Sequence, residues 1–283
     1  MLLDPPGGEF HIKAARLADS PWLAIKIATG FPLNRERNIP VGDGIFCVFR
    51  ADTGQLAALL LDGGWLTEMR TAAAGALTVD LLAREDADSV GILGTGTQAR
   101  FQLEAVSRLR RLTRVAVWGR NHERARRFAR DATTKLSLQV DAMNDPQDVV
   151  RTVDILITAT AAQVPIVEAG WLHPGLHITA VGSDNPTKQE LAADVLRVAD
   201  VVVIDDVRHL RVMGEGFRAI NEGAIRPKDV TTLADVLQGQ HPGRRDTSQV
   251  TIADLCGVGV QDAAIAELAL GADELRETAT SLL

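Results

Sequence analysis

The run Ser89-Val90-Gly91-Ile92-Leu93-Gly94-Thr95-Gly96-Thr97-Gln98-Ala99 constrains this chain more than any other stretch. An apolar strand pattern enters Gly-x-Gly-x-x-Ala, and a helical pattern follows. A dinucleotide pyrophosphate needs that order. Gly94 allows the tight turn, Gly96 lets backbone N–H groups approach the phosphates, and the small Ala99 lets the helix pack close to its strand. The expected cofactor contacts are Gly94, Thr95, Gly96, Thr97 and Gln98.

The surrounding pattern supports this reading. From Ser89 onward short apolar runs alternate with helical periods. Strands are expected at 90–93, 114–118, 154–158, 177–181 and 201–204, and helices near 97–109 and 123–132. Strands joined by helical crossovers form a parallel, doubly wound sheet. Residues 9–62 instead read as strands and turns, with a hairpin around Asp52-Thr53-Gly54 and a polar loop over 32–44. A helix with Thr67 as N-cap is expected over 67–83, its small body Thr71-Ala72-Ala73-Ala74-Gly75-Ala76 implying close packing. A strand at 250–255 and a last helix are expected to return to the β-rich portion. The expected architecture is α/β, a Rossmann-type doubly wound parallel sheet over residues 87–245 plus a discontinuous β-rich substrate and dimerisation domain over 1–86 and 246–283.

Bulk properties narrow the partners. A net charge of −7 argues against nucleic acid. No apolar run approaches the roughly 20 residues that span a bilayer, and the first residues lack a basic region followed by an apolar core. The two cysteines, Cys47 and Cys256, lie in apolar strand-like stretches and read as buried thiols of a reducing cytoplasm. No metal ligand set is read.

The second strand ends in Trp118-Gly119-Arg120-Asn121, where a ribose-binding carboxylate would favour NAD(H). A guanidinium there suits a 2′-phosphate, so NADP(H) is expected over NAD(H), although Arg120 also reads as a solvated residue before a basic helix. Arg70, placed in the first turn of its helix, can clamp a carboxylate. Lys26 is the lone charge of an apolar strand; taken alone, it reads better as directed to solvent than as aimed at an anion. Asp184 follows an apolar strand at the edge where α/β sheets bind ligands, and can exchange protons with an amine or water, or simply form the turn before Asn185-Pro186. The same edge adds Thr158, Ala159, Gly182 and Ser183 to the expected cofactor contacts, with Thr71 beside Arg70.

Four stretches resemble the ornithine cyclodeaminase and mu-crystallin family: Leu66-Thr67-Glu68-Met69-Arg70-Thr71-Ala72-Ala73, Gly91 through Ala99, Val181-Gly182-Ser183-Asp184 through Lys188-Gln189-Glu190-Leu191, and Gly257-Val258-Gly259-Val260-Gln261-Asp262. They occur in family order. Gly8-Glu9 and Phe10-His11-Ile12-Lys13 are most similar to a branch that includes ectoine-utilisation proteins. The resemblance implies a homodimer built through the β-rich domain, a bound NAD(P), and an amino acid or cyclic imine between the two domains. It implies that Lys26 and Arg70 hold the substrate carboxylate and that Asp184 serves the amine or a water. Two features depart from the family. Several dozen residues that usually precede the strand near Glu9, including a further carboxylate-binding arginine, have no counterpart. By spacing, His11 falls where cyclodeaminases carry the glutamate that meets the substrate amine, with Glu9 close by as the alternative. His11 and Lys13 suit an anionic side chain better than a distal ammonium. The leading expectation is therefore an NADP(H)-dependent imine reductase or amino-acid dehydrogenase acting at a Cα–N bond. The alternatives are a cyclodeaminase that recycles its cofactor while releasing ammonia, and a crystallin-like NADPH-binding protein without turnover.

Overall fold

The computed structural model describes residues 1–3 and 5–271. They divide into two compact units, residues 1–71 with those from 258 on, and residues 72–257. The boundaries therefore fall inside a helix and after the last strand, not at 86 and 246.

In the first unit, β1 (Leu2–Leu3), β2 (Glu9–Ala15), β3 (Trp22–Gly30), β4 (Gly42–Arg50) and β5 (Leu56–Leu60) form an antiparallel sheet in chain order. Alternation decides which face is buried. Phe46 and Val48 of β4 turn into the core with Ala24 and Ala58. Cys47, between them, falls on the opposite face and is half-buried, whereas Cys256 is buried. The polar loop after β3 contains a short 3-10 turn, Pro32–Arg37, closed by Asn38 in a left-handed conformation.

Helix α1 (Trp65–Leu82) starts earlier than its sequence implies. The Asp62 carboxylate accepts the Leu66 N–H at 2.7 Å, so Asp62 caps the helix and Thr67 lies within it. The stretch of small residues has a clear use. A side chain at Gly75 would run into the buried amide of Gln102.

The second unit holds β6 (Ser89–Leu93), α2 (Thr97–Leu109), β7 (Arg114–Trp118), α3 (His122–Leu136), β8 (Val140–Ala142), α4 (Pro146–Val150), β9 (Ile155–Thr158), β10 (His177–Ala180), α5 (Ala193–Val198), β11 (Val201–Ile204), α6 (Gly214–Asn221), β12 (Thr231–Thr232), α7 (Leu233–Leu237) and β13 (Thr251–Asp254). Its strands make one parallel sheet in the order β12-β11-β13-β10-β9-β6-β7-β8. Helices cover both faces, so β6, β9, β10 and β11 are buried at every residue.

Strand β13 does not return to the β-rich unit. It inserts between β10 and β11, and the fully buried His177 ties it down by bonding Thr251 Oγ1 at 2.9 Å. Burial lowers the imidazole pKa to about 3, so the ring is neutral there. The chain then enters α8 (Gly259–Gly271), which packs on β2 and β3 of the first sheet. Gly259 permits this approach, since a Cβ there would stand 2.9 Å from the Ala14 carbonyl oxygen.

Within the core of the second unit, a Cβ at Gly91 would lie 2.5 Å from Val149 Cγ1 and 2.9 Å from Val153 Cγ2. Gly91→Val overpacks this contact and is expected to destabilise the protein by about 1–3 kcal/mol in urea unfolding. An unchanged midpoint would contradict the tight β6–α4 packing.

Candidate active site

Antiparallel pairing places Lys13 directly opposite Lys26, His11 opposite Ala28 and Glu9 opposite Gly30. Directly opposed residues share a face, so Glu9, His11, Lys13 and Lys26 line up on one side of the sheet. Phe46, opposite Lys26 on the next strand, is on that side too and belongs to the core that α8 covers. Lys26 is therefore buried, 1% exposed, and does not reach solvent.

Its counterion comes from the first turn of α8. Asp262 Oδ1 lies 3.1 Å from Lys26 Nζ and 2.9 Å from Arg70 Nε, and all three side chains are buried. Arg70 Nη1 donates to Gln261 Oε1 at 3.1 Å. Because α1 begins at Trp65, Arg70 sits in the second turn, where Asp262 and Gln261 fix it in place of the free N–H groups at the helix start. Burial drives the Lys26 pKa down to about 7, Arg70 and Lys13 push the same way, and Asp262 opposes them. With Lys26 protonated, two cations face one carboxylate, which leaves a net positive charge in a desolvated setting. His11 Nε2 lies 3.6 Å from Glu9 Oε2.

In the second unit, Gly94 has φ +128°, and a Cβ there would stand 2.5 Å from the Ala159 carbonyl oxygen. Only glycine makes that turn. A Cβ on Gly119 would meet Thr95 Cγ2 at 2.7 Å, so the end of β7 lies against the turn. A Cβ at Gly96 meets nothing within 4 Å, and α2 begins there with no side-chain cap. Open space beside uncapped helical N–H groups, next to an exposed Thr97, fits a dinucleotide pyrophosphate. Arg120 is exposed at the end of β7, while Asn121 accepts the Arg124 N–H and caps α3. No acidic residue occurs from Trp118 through His122.

The ends of β9 and β10 are organised by one fully buried carboxylate, Glu190. It accepts from Thr158 Oγ1, from the N–H and hydroxyl of Thr160, and from the Gly182 N–H, at 2.7, 2.7, 2.7 and 2.8 Å. Burial raises its pKa while these donors hold it down. Glu215 in turn accepts the backbone N–H groups of Glu190 and Leu191, and its own pKa is raised well above the usual range by burial and by Asp254 and Glu190. The hydroxyls of Thr71, Thr158 and Ser183 donate to Thr67 O, to Glu190 and to Lys188 O respectively. Gln98 accepts from Gln102 at 2.9 Å. Asp184 is half-buried and receives Lys188 Nζ at 2.6 Å.

The cations Lys26 and Arg70 thus meet at Asp262, and the turn glycines meet the ends of β7 and β9. Asp262, Gln261 and Glu190 carry structural weight that sequence reasoning did not assign to them. The available signal for Asp262 was Lys26 itself. A lysine alone in an apolar strand, if buried, requires an acid nearby.

Comparison with known proteins bears on the fold and the family. Residues 4–273 match the model of the ornithine cyclodeaminase/mu-crystallin family. An uncharacterized cyclodeaminase of Sinorhizobium fredii is 39% identical over 97% of this chain and 84% of its own length. The structure of Thermococcus litoralis Delta(1)-pyrroline-2-carboxylate reductase, in complex with NADH and L-proline, superposes with a TM-score of 0.92 at 28% identity, covering 99% of this chain and 87% of that one. That of Paracoccus denitrificans iminosuccinate reductase, in complex with NAD+, gives 0.85 at 31% identity, covering 96% and 82%.

Asp262→Asn removes the shared counterion and leaves Arg70 buried without it, beside a lysine driven further toward its neutral form. The expected loss is about 3–5 kcal/mol in urea unfolding, and the companion change Lys26→Met should restore part of it. A neutral single substitution would show that the three charges are not coupled.

Proposed function

The chain belongs to the ornithine cyclodeaminase/mu-crystallin family, and we propose that it is an NAD(P)(H)-dependent enzyme that reduces a 2-imino acid, cyclic or open, or oxidises the matching amino acid at the Cα–N bond. The observation that carries this reading is the buried excess of positive charge at Lys26 and Arg70. A desolvated cation pair with one counter-carboxylate attracts a second carboxylate, and the planar guanidinium can engage it in bidentate fashion.

The turn residues Gly94 to Gln98 hold the cofactor pyrophosphate, and Ala159, Gly182 and Ser183 hold its nicotinamide half. When bound, the nicotinamide supplies or accepts the hydride exchanged at Cα. Lys26 and Arg70 orient the substrate through its carboxylate. Asp184, with Lys188 fixing its carboxylate, exchanges the proton on nitrogen, which gains one as Cα is reduced. Glu9, His11 and Lys13 face the substrate side chain. Two of these three can carry positive charge. The proposed substrate therefore bears a second anionic group. A distal ammonium, which cyclodeamination of a diamino acid requires, is poorly matched there.

The exposed Arg120, in a stretch without an acidic residue from Trp118 through His122, favours NADP(H) over NAD(H). Among the described residues no helix is long and apolar enough to cross a membrane. We place the protein in the cytoplasm as a homodimer. The edge strand β5 supports the dimer, since Leu56 and Leu59, with Leu61 just beyond, are exposed along it.

The deciding assay follows NADPH and NADH oxidation with cyclic ketimine carboxylates and with 2-oxo acids plus ammonia. Turnover is expected with NADPH preferred, and Arg120→Ala is expected to remove roughly 1–3 kcal/mol of that preference, measured as kcat/KM for each cofactor. Ammonia release from ornithine without net cofactor change would replace this reading by cyclodeamination. NADPH binding without turnover on any of these compounds would replace it by a binding role.

The pKa of Lys26 adds a pH signature. Burial disfavours its charged form, and the lysine is neutral in the fold from about pH 7 to its ordinary value. Substrate carboxylate needs the charged form, so KM should rise with pH above about 7, by up to about tenfold per unit. Lys26→Arg should abolish the rise, because a guanidinium stays charged. A KM independent of pH from 6 to 9 in the unsubstituted protein would remove Lys26 from the carboxylate site.

A further inference from the structure

Beyond the groups assigned above, the second unit gathers four side chains at the ends of two neighbouring strands. Strands β11 and β13 pair in parallel with Ile204 opposite Asp254, so Asp205 and the residues after Asp254 emerge at the same edge. A 3-10 turn, His209–Arg211, brings the imidazole back, and His209 Nδ1 lies 2.7 Å from Asp205 Oδ1. One ligand atom from each of Asp205, His209 and Cys256 lies within 4.8 Å of the other two. Asp254 borders the group. A Cβ built on Gly214, which has φ +90°, would stand 2.7 Å from Asp254 Oδ2 and 2.8 Å from Cys256 Sγ.

We propose that Asp205, His209 and Cys256, with Asp254 beside them, form a binding site for a divalent transition metal of the zinc type. Imidazole, thiolate and carboxylate together are the donors that such an ion selects over magnesium or calcium, and three converging protein donors suit a tetrahedral ion with one position left open. The charges point the same way. The side chains of Asp205 and Asp254 are both buried, and among the described residues Asp205 is paired with His209 alone. A dication would neutralise them, with the thiol losing its proton on binding. The outer hydrogen bonds needed to aim the carboxylates already exist. Asp205 Oδ2 accepts the Gly257 N–H at 2.6 Å and Asp254 Oδ2 the Gly216 N–H at 2.8 Å. Cys256 Sγ also lies 3.5 Å from the Ser183 carbonyl oxygen. Metal binding therefore ties the ends of β11 and β13 and the entry to α6 to the residue preceding Asp184.

The test uses the full chain, treated with a chelator and dialysed against zinc alone, then against cobalt. A single equivalent of zinc is expected, with a higher melting temperature, and cobalt should give a thiolate-to-metal charge-transfer band. Cys256→Ser should abolish that band, and both it and His209→Gln should weaken zinc binding at least about tenfold. His209 is the most exposed of the three ligands, so His209→Gln, melted without metal, separates loss of the site from loss of the fold. No bound zinc after dialysis, or zinc retained equally by both variants, would overturn the proposal.

Discussion

A buried lysine needs an acid, and in this protein one acid serves two cations. Asp262 reaches Lys26 and Arg70 only because α8 seats close against β2, and that seating depends on Gly259 having no side chain against Ala14. The strand supplies one cation, the second turn of α1 supplies the other, and α8 supplies the carboxylate. None of the three elements satisfies its own buried charge. Removing either cation would leave an ordinary ion pair, and removing the acid leaves uncompensated charge in a low-dielectric core. The arrangement leaves one positive charge over.

Glu190 solves a different problem with the same functional group. Among the described residues no cation pairs with it. It is surrounded by hydroxyl and N–H donors from Thr158, Thr160 and Gly182. Hydrogen bonds to a charged acceptor contribute about 1.5–3 kcal/mol each, and these bonds fix the ends of β9 and β10 relative to each other. Parallel strand ends have no hairpin to hold them, so a buried carboxylate takes that part. The turn at Gly94, which abuts Ala159, inherits this rigidity.

The buried strands of the second unit were legible because each is a continuous apolar run between helical periods; 97–109, 114–118 and 201–204 agree with α2, β7 and β11 to the residue. The edge strands β8 and β12 are too short to leave a period. Strand β13 was visible as a strand, but its sheet was not, because alternation says nothing about which neighbour a strand pairs with. Thr67 looked like a cap by residue type, whereas the carboxylate that caps α1 lies earlier, at Asp62. Cys47 was read by the hydrophobicity of its run, and the period-2 geometry of β4 overrode that reading. Lys26 and Arg70 could be named from sequence. Their meeting point could not, because Asp262 is remote in the chain and reaches them only through the packing of α8.

The depressed pKa of Lys26 follows from the same geometry and bears on how the site treats an anion. The Arg70 guanidinium pairs with Asp262 and keeps its charge compensated, so Lys26 is the group free to adjust. On the proposed reading of this site, an incoming carboxylate near neutrality would raise the lysine's proton affinity, and binding would be coupled to uptake of a proton that a fully charged surface lysine would already hold. A site with two permanently charged cations would carry a larger desolvation penalty when empty. Letting one of them discharge reduces that penalty without giving up the charge needed when an anion arrives.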